Sequence, residues 1–341
     1  MKTPSLRQFP CLLLLTAVST LSAAQTYTVT DLGTLSGGNY SVAKAINATG
    51  QITGASGNFN NNVSDIVLYS NGAMTNLGTL GGNSGIGNGI NASGQVAGYS
   101  TAANGTYHAF LASGGTLTDI GDLGGGFAVA YAINDAGQVV GSAVTADGAN
   151  HPFLYSNGQM TDLGTLGSPN NVNWWNSAQG INTSGVVTGT SYDAQGNFFG
   201  FVWKNGKMTK IGTLGGSWSQ GYAINNKGQV TGLAYLKNGN AHAFLMDPSG
   251  KLTDLGSIDG PSGITWGFGI NDAGVVVGQS SFPNTYHAFV YSGGKMKDLN
   301  KLIPAKSGWV LLEADSINNA GQIVGLGMHK GQERAFLLTP R

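Results

Sequence analysis

The chain has 341 residues, 56 of them glycine, and only 9% are charged, against about 25% in an ordinary globular domain. Sixteen basic residues balance 16 acidic ones, a composition that gives no support for a nucleic-acid partner or an anionic membrane surface. A single cysteine, Cys11, excludes a disulfide within the chain, so its stability has to come from packing.

The first segment is a targeting signal. Lys2 and Arg7 precede an apolar run from Cys11 to Leu21, too short to span a bilayer, and Ser22-Ala23-Ala24 supplies the small residues of a cleavage site. Residues 1–24 therefore read as a secretory signal peptide, cleaved near Ala24, and the mature chain is expected to be extracellular or periplasmic. Cleavage removes the only thiol. No later segment is apolar for long enough to be a membrane span.

From residue 25 onwards one domain is expected, built from a segment repeated seven times. Its best-kept part is Asn-x-x-Gly, at Asn47–Gly50, Asn91–Gly94, Asn134–Gly137, Asn182–Gly185, Asn225–Gly228, Asn271–Gly274 and Asn318–Gly321, spaced 43–48 residues apart. A further Gly follows four residues later in each copy, from Gly54 to Gly325. A period of this size marks a repeat architecture.

The third copy serves as template. Ala128–Asn134, Gln138–Ala143, His151–Tyr155 and Gln159–Leu163 have strand lengths, no helical period and turn residues between them. Asn at the start of the first turn can bond its backbone, and Gly at the fourth position accepts the left-handed conformation. Four antiparallel strands in about 44 residues make one blade of a β-propeller. The third strand agrees: Ala109-Phe110-Leu111, Ala243-Phe244-Leu245 and Ala335-Phe336-Leu337 are apolar on both faces, as sandwiched sheets require.

The ends favour a closed ring over a linear β-solenoid. Tyr27–Leu32 matches a fourth strand (compare Met160–Gly164), whereas the last copy stops after a third strand at Ala335–Arg341. The N-terminal strand is the piece the last blade lacks. The fold class expected is all-β, a seven-bladed propeller closed by that strand.

The recurring Asp-Leu-Gly-Thr-Leu-Gly-Gly (complete but for one residue at Asn76–Gly82), Ile-Asn-x-x-Gly-Gln-Val and His-Ala-Phe at 108–110, 242–244 and 287–289 resemble the HAF-repeat family of bacterial extracellular proteins. The final copy, with Asp298-Leu299-Asn300, Ile303-Pro304 and Gly308-Trp309, is similar to that family's terminal repeat. The resemblance implies an exported repeat protein and transfers no functional residue.

Chemistry-bearing residues recur in fixed slots. His108, His151, His242 and His287 share one slot, where other copies hold Asp65, Phe199 and Arg334. Geometry argues against a metal ring: with strands ~4.8 Å apart, equivalent third-strand positions lie about 15 Å from one blade to the next, while zinc needs ligands at about 2.0–2.1 Å. A hydrogen bond orienting each blade's loops fits better. Asp-Ala-Gly at 135–137 and 272–274 lacks the several oxygen ligands calcium requires and reads as a turn. Asp31, Asp119, Asp162, Asp254 and Asp298 end strands beside glycine turns, and Asn76 and Lys210 replace them in two copies. Glu313 and Glu333, the only glutamates, have no spacing that pairs them for acid–base work. No catalytic residue, metal or cofactor is expected.

The aromatics are the strongest lead. Tyr40, Phe127, Trp175 and Trp218 stand seven residues before the repeat Asn, with Trp266 and Trp309 displaced by two; the second copy has Ser84 there. Five of six tryptophans, including Trp174, fall in this link between blades, and the fourth copy lengthens it (Ser168–Ser177). The rings either pack between blades or form a binding face, since exposed aromatics in loops favour recognition. The reading favoured is a secreted, monomeric, non-catalytic module that binds an extracellular glycan or polymer in preference to a peptide. Its ligand site is assigned to Tyr40, Phe127, Trp175, Trp218, Trp266 and Trp309. A surface-layer protein, or a propeller hydrolase or lyase with a loop-built site, are the alternatives.

Overall fold

The computed structural model describes residues 25–167, 175–283 and 285–341, so the signal segment, Trp174 and most of the long fourth-copy link lie outside the described residues. Among the described residues, 28 strands form seven four-stranded antiparallel blades. In blade 3 they are Gly124–Ile133, Val139–Thr145, Asn150–Ser156 and Gln159–Asp162, counted from the axis outwards. Blades 1 and 2 are also joined to each other, by a parallel pair between Ser64 and Ser84.

The ring closes as the ends of the chain require. Tyr27–Asp31 runs antiparallel to Gln332–Pro340, from Tyr27 opposite Pro340 to Asp31 opposite Phe336, and is the outermost strand of blade 7. A linear solenoid is thereby excluded. Tyr27 is buried in that blade's core with Leu311, Phe336 and Leu338.

The innermost strands share an irregularity that their sequences do not announce. The register slips by one residue between Ala43 and Ala45, Ala130 and Ala132, Gly221 and Ala223, and likewise in every other blade. This is a β-bulge, and its extra residue is left unpaired. The extra residues, Lys44, Asn88, Tyr131, Gln179, Tyr222, Phe268 and Asp315, line a central channel of about 210 Å³.

The bulge explains the second repeat glycine. A Cβ on Gly141 would collide with the Val129 carbonyl oxygen and lie 2.8 Å from the Phe153 ring, and the equivalent carbonyl blocks Gly54, Gly98, Gly189, Gly232, Gly278 and Gly325. The Phe of the third strand sits opposite this glycine, as Phe153 does on Gly141, and is fully buried in six blades. Gly141→Ala is therefore expected to cost at least the ~1–3 kcal/mol of ordinary overpacking, measured by denaturant unfolding. A cost below about 0.5 kcal/mol, typical of neutral surface changes, would show that the bulge is not what fixes the glycine.

The Asn-x-x-Gly turns form a belt around the axis. Each buried Asn accepts backbone N–H bonds from residues two and four positions on, as Asn134 Oδ1 does from Ala136 and Gln138. Its amide then donates to the backbone carbonyl of the next blade's Asn, at 2.9–3.2 Å all round. Asn318 donates to Asn47 at 3.1 Å and completes the circle.

Candidate functional site

Strand direction gives the propeller two unlike faces. The bottom carries the Asn turns and the tight hairpins between third and fourth strands, such as Asn71-Gly72, both with positive φ. The top carries the loops between second and third strands and the links between blades. All six aromatics singled out in the sequence lie at the top, where the first strands begin.

Their environments differ. Trp175 is 57% exposed and meets the Phe198 ring edge-on at 5.7 Å. Phe198 touches Trp218 of the next blade at 5.5 Å, and Trp218 in turn lies against Tyr235 at 4.1 Å, so four rings form one chain across the seam of blades 4 and 5. Tyr40 stacks on Phe59 at 3.9 Å and 16°. Phe127 meets Tyr107 of blade 2 at 6.0 Å, and Trp266 meets Tyr286 at 6.0 Å. Trp309 is buried, stacked on His329 at 4.5 Å and 9°. None of the six lines the channel, which belongs to the bulge residues.

Sequence reasoning missed the partners of these rings. Phe59 stands in the loop between the second and third strands of blade 1, Tyr107 and Tyr286 stand at the start of the third strands of blades 2 and 6, and they are 58%, 39% and 46% exposed. With Val63, Trp175, Ile264 and Val310 they make up the well-exposed large apolar side chains among the described residues. Every one of them is on the top face. Scattered exposed apolar residues are ordinary, but here all seven share one face.

The top face also holds five His–Asp pairs. His108, His151, His242 and His287 place Nδ1 within 2.6–3.0 Å of Asp119, Asp162, Asp254 and Asp298 across the outer hairpin. Blade 7 has Arg334 in the histidine slot, and His329 bonds Asp31 at 2.9 Å instead. In four of the pairs the second carboxylate oxygen accepts a backbone N–H two residues on, as Asp162 does from Gly164, while in Asp254 one oxygen takes both bonds. Burial works against the Asp162 and Asp254 charges, but the histidine and glycine bonds outweigh it and hold both carboxyls below their ordinary range.

The exceptions are matched pairs. In blade 1 Asn76 donates to Asp65 at 2.9 Å, and in blade 4 the Lys210 ammonium lies 3.1 Å from the Phe199 ring centre. In blades 1 and 4 the two slots change together, which is the signal that could have paired them from sequence. Thr106 Oγ1 stands 2.8 Å from His108 Nε2, giving a hydroxyl–imidazole–carboxylate line. That hydroxyl also bonds Asn104 within its own turn at 2.6 Å, and the His242–Asp254 pair forms with no partner on the second ring nitrogen. The arrangement staples the links to the third strands. Among the described residues, no three His, Cys, Asp or Glu side chains converge to hold a metal.

In the channel, Lys44 of blade 1 bonds Asp315 at 2.6 Å and Glu313 at 3.1 Å, both in blade 7. Burial pushes the Asp315 carboxyl well up, with Lys44 opposing and Glu313 adding to the rise. Burial also disfavours the Glu313 charge, but Lys44 outweighs it and holds that carboxyl low. The trio is a charged clasp across the closing seam.

No protein-family model and no curated protein matches the chain. Solved structures do. The β-propeller domain of the Trilobed protease from Pyrococcus furiosus superposes with a TM-score of 0.57, covering 89% of this chain and 95% of that one at 11% identity. A puromycin hydrolase gives 0.57 over 88% of this chain and 52% of its own, at 13% identity. The acylaminoacyl peptidase of Pyrococcus horikoshii gives 0.53 over 89% and 52%, at 12%. The chain spans about half the length of these last two. At such identities the likeness is one of fold. The trilobed-protease domain has an open velcro topology, whereas here the N-terminal strand seals the last blade.

Proposed function

We propose that this chain is an exported, non-catalytic binding module, a member of the HAF-repeat group, that holds an extracellular glycan or similar polymer against its top face. The observation that carries this reading is the confinement of the exposed large apolar side chains to that face. Export rests on the signal pattern of residues 1–24. The aromatic chain from Trp175 through Phe198 and Trp218 to Tyr235 spans two blades, a length that suits an extended ligand better than a compact one. Indole and phenol rings stack on sugar faces and lose little entropy in doing so.

Glycan arrays and co-sedimentation with insoluble polysaccharides test the proposal, using the mature chain and two variants. Trp175→Ala, at an exposed ring, is expected to leave the melting temperature unchanged and weaken polymer binding by about tenfold, the worth of one stacked ring. Trp309→Ala removes a buried ring and is expected to cost ~3–5 kcal/mol of stability. Failure to bind any polymer, or binding indifferent to Trp175, would remove this site from consideration.

A further inference from the structure

At the top face the seam between blades 1 and 2 differs from those between blades 2 and 3 and between blades 4 and 5. In blades 3 and 5 the ring seven residues before the repeat Asn crosses to the preceding blade, Phe127 reaching Tyr107 and Trp218 reaching Phe198, whereas Tyr40 and Trp175 meet Phe59 and Phe198 of their own blades. Blade 2 has Ser84 in that slot. The gap stays open as a cleft of about 300 Å³.

We infer that this cleft is a subsite for a single uncharged sugar residue, a conclusion that rests on the glycan-binding reading and narrows it. One wall is the Phe59 ring, 58% exposed and held parallel to Tyr40; the other is Tyr107, 39% exposed. Two ring walls offer stacking faces for the C–H side of a pyranose. Asn62 and Asn83, both exposed, have side-chain amides with no hydrogen bond among the described residues, and they border the cleft as donors and acceptors for hydroxyls. No Asp, Glu, Lys or Arg lines it, so nothing compensates a charged ligand. Its volume is at the small end of the ~300–1,000 Å³ of ligand pockets, fitting one ring rather than a branched group.

The floor argues against a peptide. Ser64 and Ser84 pair with each other as parallel strands, and Ser64 Oγ donates to the Gly85 carbonyl at 3.1 Å. The backbone there is already engaged and offers no free strand edge for β-addition. Stacking plus side-chain amides is what remains, and that is sugar chemistry.

The test is isothermal titration of the mature chain with neutral oligosaccharides (cellopentaose, xylopentaose, mannopentaose, chitopentaose) and with an oligogalacturonate. At least one neutral sugar is expected to bind and the uronate not to. Ser84→Trp places a ring in the cleft and is expected to weaken binding more than about tenfold at an unchanged melting temperature. Tyr107→Ala and Asn83→Ala, at exposed positions, give the same loss without filling the cleft, which guards against a misfolded Ser84→Trp. Neutral-sugar binding that survives all three variants but is lost in Trp175→Ala overturns the cleft and leaves the wider reading standing. Binding of the uronate alone overturns the uncharged ligand. No binding to any saccharide overturns both readings.

Discussion

Deleting residues 25–31 is expected to turn a single cooperative unfolding transition into aggregation at modest temperature. The deletion removes Tyr27, which is almost completely buried, and the partly buried Val29 that packs on the same core. At roughly 1.5–3 kcal/mol for each large apolar side chain, together with a five-residue ladder, the loss is a large share of the ~5–15 kcal/mol that stabilises a typical domain. It also strips Gln332–Pro340 of its partner and leaves the backbone groups of that strand unpaired, a template for another chain. His329 loses Asp31 as well. Light scattering and thermal unfolding of the truncated chain decide the matter. A monomer with an unaltered transition would mean that Lys44 with Asp315, and Asn318 with Asn47, hold the seam without the strand.

The largest point-mutant effect is expected at the Asn belt. Asn134→Ala leaves two backbone N–H groups, of Ala136 and Gln138, without their acceptor, and frees the Asn182 carbonyl and the Gln138 side chain. At about 1–3 kcal/mol for each buried group left unsatisfied, with water recovering part, the loss is about 4 kcal/mol. Asn134→Asp separates the two roles of the side chain. It keeps the acceptor for the turn but sets a carboxylate against the Asn182 carbonyl, so it too is expected to destabilise, and more at neutral than at acid pH. Equal stability of the Asp variant and the parent would show that the inter-blade bond contributes little.

The ring, its strands and its closure were readable because they rest on local chemistry. Asn and Gly fix the turns, and Tyr27–Leu32 is recognisable as a stray fourth strand. In blade 3 the first strand begins at Gly124 rather than Ala128, because the pairing is irregular between these two residues and breaks the alternation by which strands are read. The bulge hides the channel residues in the same way: Lys44, Tyr131 and Phe268 share a position but no chemistry. Trp175 and Trp309 occupy nearly equivalent slots, yet one is exposed and the other buried, since His329 covers only the latter. That difference is set by a residue from another strand. Ser84 reads as a missing aromatic in the sequence and acquires meaning only where Phe59 and Tyr107 are seen to face the gap.

The Asn belt has a further consequence. Every copy hands its amide to the next in the same rotational sense, and the last hands its own to the first, so the circle contains no privileged starting point. Thr26 and Arg341 meet at the bottom rim, where the Arg341 N–H donates to the Thr26 carbonyl at 2.9 Å. A short linker joining these residues would give a continuous loop of chain, to be reopened at any third-to-fourth-strand hairpin, such as Ser156–Gln159 or Lys204–Lys207. Circular permutants cut there keep every bond of the belt and should fold to the same disc, with the sealing strand now supplied by a different blade.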